Sequence, residues 1–91
     1  MRQHHYLKLE TEFYQAVEDA EKMFEVRKND RNYQVGDIVH LREVAGGQET
    51  GRELPPFEIT YVLHGGKHGL ADDYCVLQLS YRLTFASAWS Q

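Results

Sequence analysis

The chain reads as an α+β protein that is mostly β, a small barrel of five to six strands with one N-terminal helix packed against it. Three observations predict this. Short apolar runs with period-two alternation recur along the chain between clusters of Gly, Pro, Asn and Asp. Only one early stretch, Thr11 to Glu21, carries a helical repeat. At 91 residues there is room for one small domain, with a core at about residues 4–81 and 82–91 as a final strand or tail. Strands this short, mostly antiparallel, bury most when curled into a barrel, which also removes exposed edges.

Taken in order, His5 to Leu9 is a first strand, with Leu7 and Leu9 on one face and Tyr6 and Lys8 on the other. Thr11 is placed to cap a helix, with Glu12 in the first turn where the helix dipole favours an acid. Phe13, Val17 and Ala20 form its apolar stripe, with Tyr14 beside them, while Glu12, Glu18, Asp19 and Glu21 make an acidic face. Such a face is either simply solvated or a docking surface for a protein partner. Met23 to Lys28 is a second strand, with Phe24 and Val26 on one side and Met23, Glu25 and Arg27 on the other. Asn29 to Asn32 is a polar turn, and Gly36-Asp37 bends the chain into a third strand, Ile38 to Val44. Gly46 to Gly51 reads as a glycine-rich hairpin tip. It is no phosphate loop, since no Lys-Ser/Thr follows. Pro55-Pro56 sets the entry to Phe57–Leu63, where Phe57, Ile59, Tyr61 and Leu63 share a face. His64 to Asp73 is a mobile Gly-rich loop, and Tyr74–Tyr81 is a strand with Cys75, Leu77, Leu79 and Tyr81 on one side.

Composition narrows the function classes. A formal net charge of −4 and a pI near 5.7 argue against binding nucleic acid through bulk electrostatics. The basic residues are nonetheless uneven, for Lys22, Arg27, Lys28 and Arg31 are four of the ten. A single cysteine excludes an internal disulfide, and no apolar run has the length of a signal peptide or a membrane span, so a soluble, cytoplasmic protein with no membrane contact is the expectation.

The order Lys22-x-x-Glu25-x-Arg27, followed by Val35-Gly36-Asp37 and a β-rich second half, resembles the ASCH domains, small relatives of the PUA-like barrels. More closely, the run from Phe24 to Asp37 (F-E-V-R-K-N-D-R-x-Y-x-V-G-D) is similar to a bacterial and phage family of unknown function, DUF3850. His5-x-Leu7-Lys8 ahead of that run and Ile59 to Leu63 after it extend the resemblance over roughly residues 4 to 80. It implies a PUA-like barrel in which Lys22, Glu25 and Arg27 line a ligand cleft. Ala20 stands where the ASCH motif usually has Gly, two residues before the Lys.

The residues alone suggest the same trio. Lys22 and Arg27 can meet a phosphate or a base edge while Glu25 orients them; the plainer reading is a structural salt bridge. Lys28 and Arg31 extend the positive rim, while Asn29 and Asp30 build the turn. Tyr14, Tyr33, Tyr61, Tyr74 and Tyr81 are candidates to stack on a base, or else core and rim residues. Of these, Tyr33 and Tyr61 are expected near the cleft. Arg42 and Arg52 read as solvated surface charges. His64-x3-His68 with Cys75 falls short of a metal set, His4 and His5 read as exposed terminal residues, and Ser80, Ser87 and Ser90 have no nucleophile's partners. No cofactor or metal is expected.

The first expectation is therefore a module that binds RNA or a nucleotide-like ligand through Lys22, Glu25, Arg27, Lys28, Arg31, Tyr33 and Tyr61. The alternative is a small amidohydrolase, since some ASCH relatives hydrolyse an acylated cytidine using the motif's Lys, a Thr at the position of Glu25 and a later Glu. In that case Lys22 would polarise an amide or activate water and Glu25 would pass protons, although Glu25 here replaces the hydroxyl. A third is an accessory domain whose partner is another protein. Oligomeric state is left open.

Overall fold

A computed structural model describes residues 2–81, and the strand or tail expected at 82–91 lies outside the described residues. Six strands and one helix follow in the order β1 (His4–Glu10), α1 (Thr11–Glu18), β2 (Phe24–Lys28), β3 (Ile38–Ala45), β4 (Gln48–Glu53), β5 (Phe57–His64) and β6 (Tyr74–Ser80). They form one sheet in the order β1-β3-β5-β6-β2, with β4 paired to the second half of β3. Only β1 and β3 run parallel, Leu7 opposite Leu41; the other pairings are antiparallel. The sheet curls into a half-barrel. Among the described residues no backbone ladder joins its end strands, β1 and β2.

The core sits in the concave side. Leu7 and Leu9 of β1, Val39 and Leu41 of β3, Phe57 and Ile59 of β5, and Cys75, Leu77 and Leu79 of β6 meet Tyr14 and Val17 of the helix. Burying each large side chain contributes about 1.5–3 kcal/mol. Alternation held along β1 and β6. In β5 it failed after Ile59, because the register slips between Ile59 and Tyr61. A bulge of that kind transposes the faces. Phe57 and Ile59 point inward, Tyr61 and Leu63 outward at 57% and 39% exposure, and Val62 packs against the core. The hairpin tip is also tighter than expected, with only Gly46 and Gly47 at the turn, both at positive φ, and Gln48 to Glu53 running as strand. The segment after β5 is a hydrogen-bonded turn, Gly66 N–H donating to Leu70 C=O at 2.8 Å, and a Cβ on Gly65 would lie 1.8 Å from the Ala71 carbonyl.

The helix begins directly from β1, with Glu10 in the cap position and no side-chain cap, so Thr11 is its first residue. Instead Thr50, helped by the Thr11 hydroxyl and by Arg52, holds the Glu43 carboxyl below its ordinary range, against the opposing effect of burial. The buried stripe is Tyr14 and Val17, whereas Phe13 is 46% exposed. The helix stops at Glu18, three residues before the expected end, in a Schellman turn: Glu21 N–H donates to Ala16 C=O and Ala20 N–H to Val17 C=O, both at 2.9 Å. Ala20 therefore has φ +60, the left-handed geometry that glycine takes without steric cost. No helix among the described residues is long and apolar enough to cross a membrane.

His5 is buried rather than terminal and solvated. Its Nε2 lies 2.9 Å from Asp37 Oδ2, and its ring meets Tyr33 edge-on at 4.7 Å. Asp37 also accepts from the backbone N–H groups of Gln3 at 3.1 Å and Gln34 at 3.0 Å. The bend residue is thus a buried clasp between β1 and the start of β3. Burial pushes the Asp37 carboxyl up, but the His5 ring and the two N–H donors outweigh it and hold the carboxyl below its ordinary range.

Two predictions follow from these turns. Ala20→Gly relieves about 1–2 kcal/mol of left-handed strain and loses about 0.4–1 to the freer unfolded chain, so stability rises by about 0.5–1 kcal/mol in urea unfolding. An unchanged or lower midpoint contradicts the geometry. A depressed carboxyl stabilises the fold above its unfolded pKa of about 3.9, and that contribution fades as pH falls through the folded value. Asp37→Asn therefore destabilises at pH 7 by about 1–3 kcal/mol. The deficit shrinks as pH falls below about 4, where the unfolded chain's carboxyl takes up its proton, and is lost once pH has passed the lower folded value. A deficit constant from pH 7 to pH 2.5 contradicts the role given to Asp37.

Candidate functional site

The site lies where the half-barrel fails to close. β2 pairs with β6 on one side only and β1 with β3 on one side only, which leaves their other backbone edges facing each other. Side chains bridge this seam. Arg27 of β2 donates from Nη2 to the Lys8 carbonyl of β1 at 2.6 Å, and Arg31 makes a longer contact from Nη1 to the Tyr6 carbonyl at 3.4 Å. A free strand edge needs partners for its carbonyls. Two guanidinium groups supply them here.

What holds Arg27 in place is Glu25. Alternation on β2 turns Glu25 and Arg27 inward and Phe24 and Val26 outward, so the polar face of this strand is the buried one. Glu25 is only 2% exposed. One carboxylate oxygen accepts from Lys22 Nζ and the other from Arg27 Nε at 3.0 Å. Lys22 also donates to the Phe24 carbonyl at 2.7 Å, and its ammonium sits 5.0 Å from the centre of the Phe24 ring and 6.0 Å from that of Phe13. Desolvating a carboxylate costs several kcal/mol, which two cations and their hydrogen bonds offset.

An open cleft of about 710 Å³ runs along the seam, within the usual size of small-molecule sites. Four cations, Lys8, Lys22, Arg27 and Lys28, line it against two carboxylates, Glu10 and Glu25. The cleft is therefore locally positive in a chain whose net charge is −4. Its walls are apolar, with Leu9, Phe13, Phe24, Val26 and Tyr74. Arg27 uses Nε and one Nη2 hydrogen, and its Nη1 has no hydrogen-bond partner among the described residues.

Of the residues singled out in the sequence, Lys22, Glu25, Arg27, Lys28 and Tyr74 come together at the cleft. Arg31 stands at the end of the same seam. Tyr33 does not line the cleft: it is 2% exposed and packed in the core, where burial raises its hydroxyl's pKa while nearby Arg31 and Arg27 pull it down. Tyr61 lies outside the cleft, on the outer face of the sheet. Tyr14 is core, and Tyr81 packs on Phe57 at 4.9 Å. Arg42 and Arg52 are tied into ion pairs with Glu53 and with Glu18 and Glu43. Cys75 is fully buried, well apart in role from any ligand set.

Of the aromatic walls, Tyr74 is among the stacking candidates of the sequence, whereas Phe13 and Phe24 are not. Phe13 had been assigned to the buried stripe, and the outward parity of Phe24 was legible but not connected with a site. Tyr74 reaches the cleft because it pairs with Lys28, a long-range register that no local pattern reveals.

A family model described as "Domain of unknown function (DUF3850)" matches residues 4–79. The chain is 40% identical over 50 residues to an "Uncharacterized 12.9 kDa protein in GpA 3'region" of Escherichia phage P2. The match covers 55% of this chain and 46% of the phage protein, so the chain spans about half the length of that relative.

Removing Glu25 leaves two cations at the seam without their common partner. Glu25→Ala is expected to cost about 3–5 kcal/mol in urea unfolding. Glu25→Gln, which keeps one acceptor, should cost less. A loss under about 1 kcal/mol for the Ala variant contradicts a structural triad.

Proposed function

The chain belongs to the DUF3850 family, and from the cleft just described we propose that it is a binding module for RNA or a nucleotide-like ligand. The observation that carries this reading is a positive cleft with aromatic walls in an otherwise acidic protein. A nucleotide offers both chemistries such a cleft can use. Its phosphate suits Lys28, Lys8 and the Nη1 of Arg27, and its base has a π-face for Phe24, Phe13 or Tyr74. Glu25 is then the residue that positions the cations, since both of its oxygens already accept hydrogen bonds.

We further assign the chain to the ASCH domains within the PUA-like barrels. The support is the Lys22-x-x-Glu25-x-Arg27 order and the curled sheet with a single helix. Ala20 also adopts left-handed backbone at the position where that motif carries Gly. The departure is thus one of residue type and not of backbone shape. The amidohydrolase alternative asks Glu25 to move protons, which requires it to leave Lys22 or Arg27 first.

A thermal-shift screen with nucleosides, nucleotides, acetylated cytidine and short RNA oligomers tests the proposal, followed by anisotropy with a labelled RNA octamer. Lys28→Ala, an exposed change, should weaken binding about threefold to tenfold and lower the salt slope by about 0.7, the increment for one phosphate contact on a single strand. RNA affinity unchanged by Lys22→Ala combined with Arg27→Ala overturns it. Turnover of acetylated cytidine, abolished by Lys22→Ala, would establish the enzyme instead.

A further inference from the structure

Resting on the cleft reading above, we propose that the ligand is a single-stranded polynucleotide, whose bases continue from the cleft onto the outer face of β2, β6 and β5. An outer sheet face in contact with water is ordinarily polar. Here the register sets Phe24 beside Gln78 and Gln78 beside Tyr61, then Val26 beside Val76 and Val76 beside Leu63, then Lys28 beside Tyr74. The aromatic and aliphatic members stand out from the surface, with Phe24 45%, Val26 49%, Tyr61 57%, Leu63 39% and Tyr74 39% exposed. A shallow depression of about 450 Å³ between Phe24, Tyr61, Leu63 and Val76 occupies the middle of this face.

Two features select a nucleic-acid strand as the occupant. First, the face is continuous with the positive cleft, because Phe24 lines both. Second, the charge is arranged as a strand would need. Cations stand where the face meets the cleft, at Lys22 and at Lys28 on the end of the Tyr74 row, and the other two cross-strand rows hold aromatic, aliphatic and amide side chains. Phosphates following the seam place their bases across the neighbouring strands, where Phe24, Tyr74 and then Tyr61 offer three rings. Stacking of this kind accepts any base. A free nucleotide fills the cleft and leaves Tyr61 untouched; a strand reaches it.

The experiment compares a mononucleotide, a dinucleotide and an RNA octamer on wild type, Tyr61→Ala and Tyr61→Phe. The octamer should bind at least about tenfold more tightly than the dinucleotide. Tyr61→Ala should weaken the octamer by about fivefold to thirtyfold, in keeping with one lost base stack, and leave mononucleotide affinity unchanged. Tyr61→Phe should retain octamer affinity. If chain length brings no gain, or Tyr61→Ala leaves the octamer unaffected while the mononucleotide still depends on Lys28, the strand path is wrong and the cleft reading stands. If sedimentation shows that Tyr61→Ala dissociates a dimer, the face is an interface between copies and the path is again overturned. If no nucleotide or oligomer binds at any length, both readings fall.

Discussion

Everything at the seam depends on one buried carboxylate. Glu25 sits on an edge strand, inside the curl of the sheet, and bonds Lys22 on one side and Arg27 on the other. Arg27 in turn reaches across to the Lys8 carbonyl, so a side-chain relay does what a backbone ladder does in a closed barrel. A ladder would fill the gap between β1 and β2. The relay spans it and leaves a cleft. Lys22 and Glu25 fix the Arg27 that spans the edges, and on the proposed reading the same three side chains set the charge that a ligand would meet.

On the proposed reading, the arrangement would couple stability to recognition. Cations locked to a carboxylate lose little further freedom when a phosphate arrives, which lowers the ordering cost of binding. The cost lies on the other side: a buried ion cluster is seldom more stable than an apolar one of equal volume. Its retention inside a 91-residue domain, where the core is small, is what a functional constraint would require. The His5–Asp37 clasp contrasts with it. That pair lies outside the lining of the cleft and joins the N-terminal strand to the β3 bend.

Much of this was legible in the residues. Period-two alternation located all the strands except β4, whose six exposed residues, Gln48 to Glu53, are polar but for Gly51 and carry no burial signal. The Lys22-x-x-Glu25-x-Arg27 spacing brought its three members together as expected, because alternation on a strand places Glu25 and Arg27 on one side. Three kinds of information were not local. The bulge after Ile59 reversed the faces of β5, and only its pairing with β6 reveals it. The early stop of α1 at a Schellman turn was hidden because Ala20, a good helix former, occupies the place of a glycine. His5 and Asp37, distant by 32 residues, find each other only through the parallel pairing of β1 with β3.

The central claim is that the relay at the seam is also the binding site. A two-dimensional 15N NMR titration with a short single-stranded RNA tests it most directly, since the Arg27 Nε–H bonded to Glu25 reports on the relay itself. The account predicts the largest shift changes at that Nε–H and at Lys8, Phe13, Lys22 to Lys28 and Tyr74. Changes confined to the acidic side of α1 or to the β3–β4 hairpin, or none at saturating RNA, would contradict it.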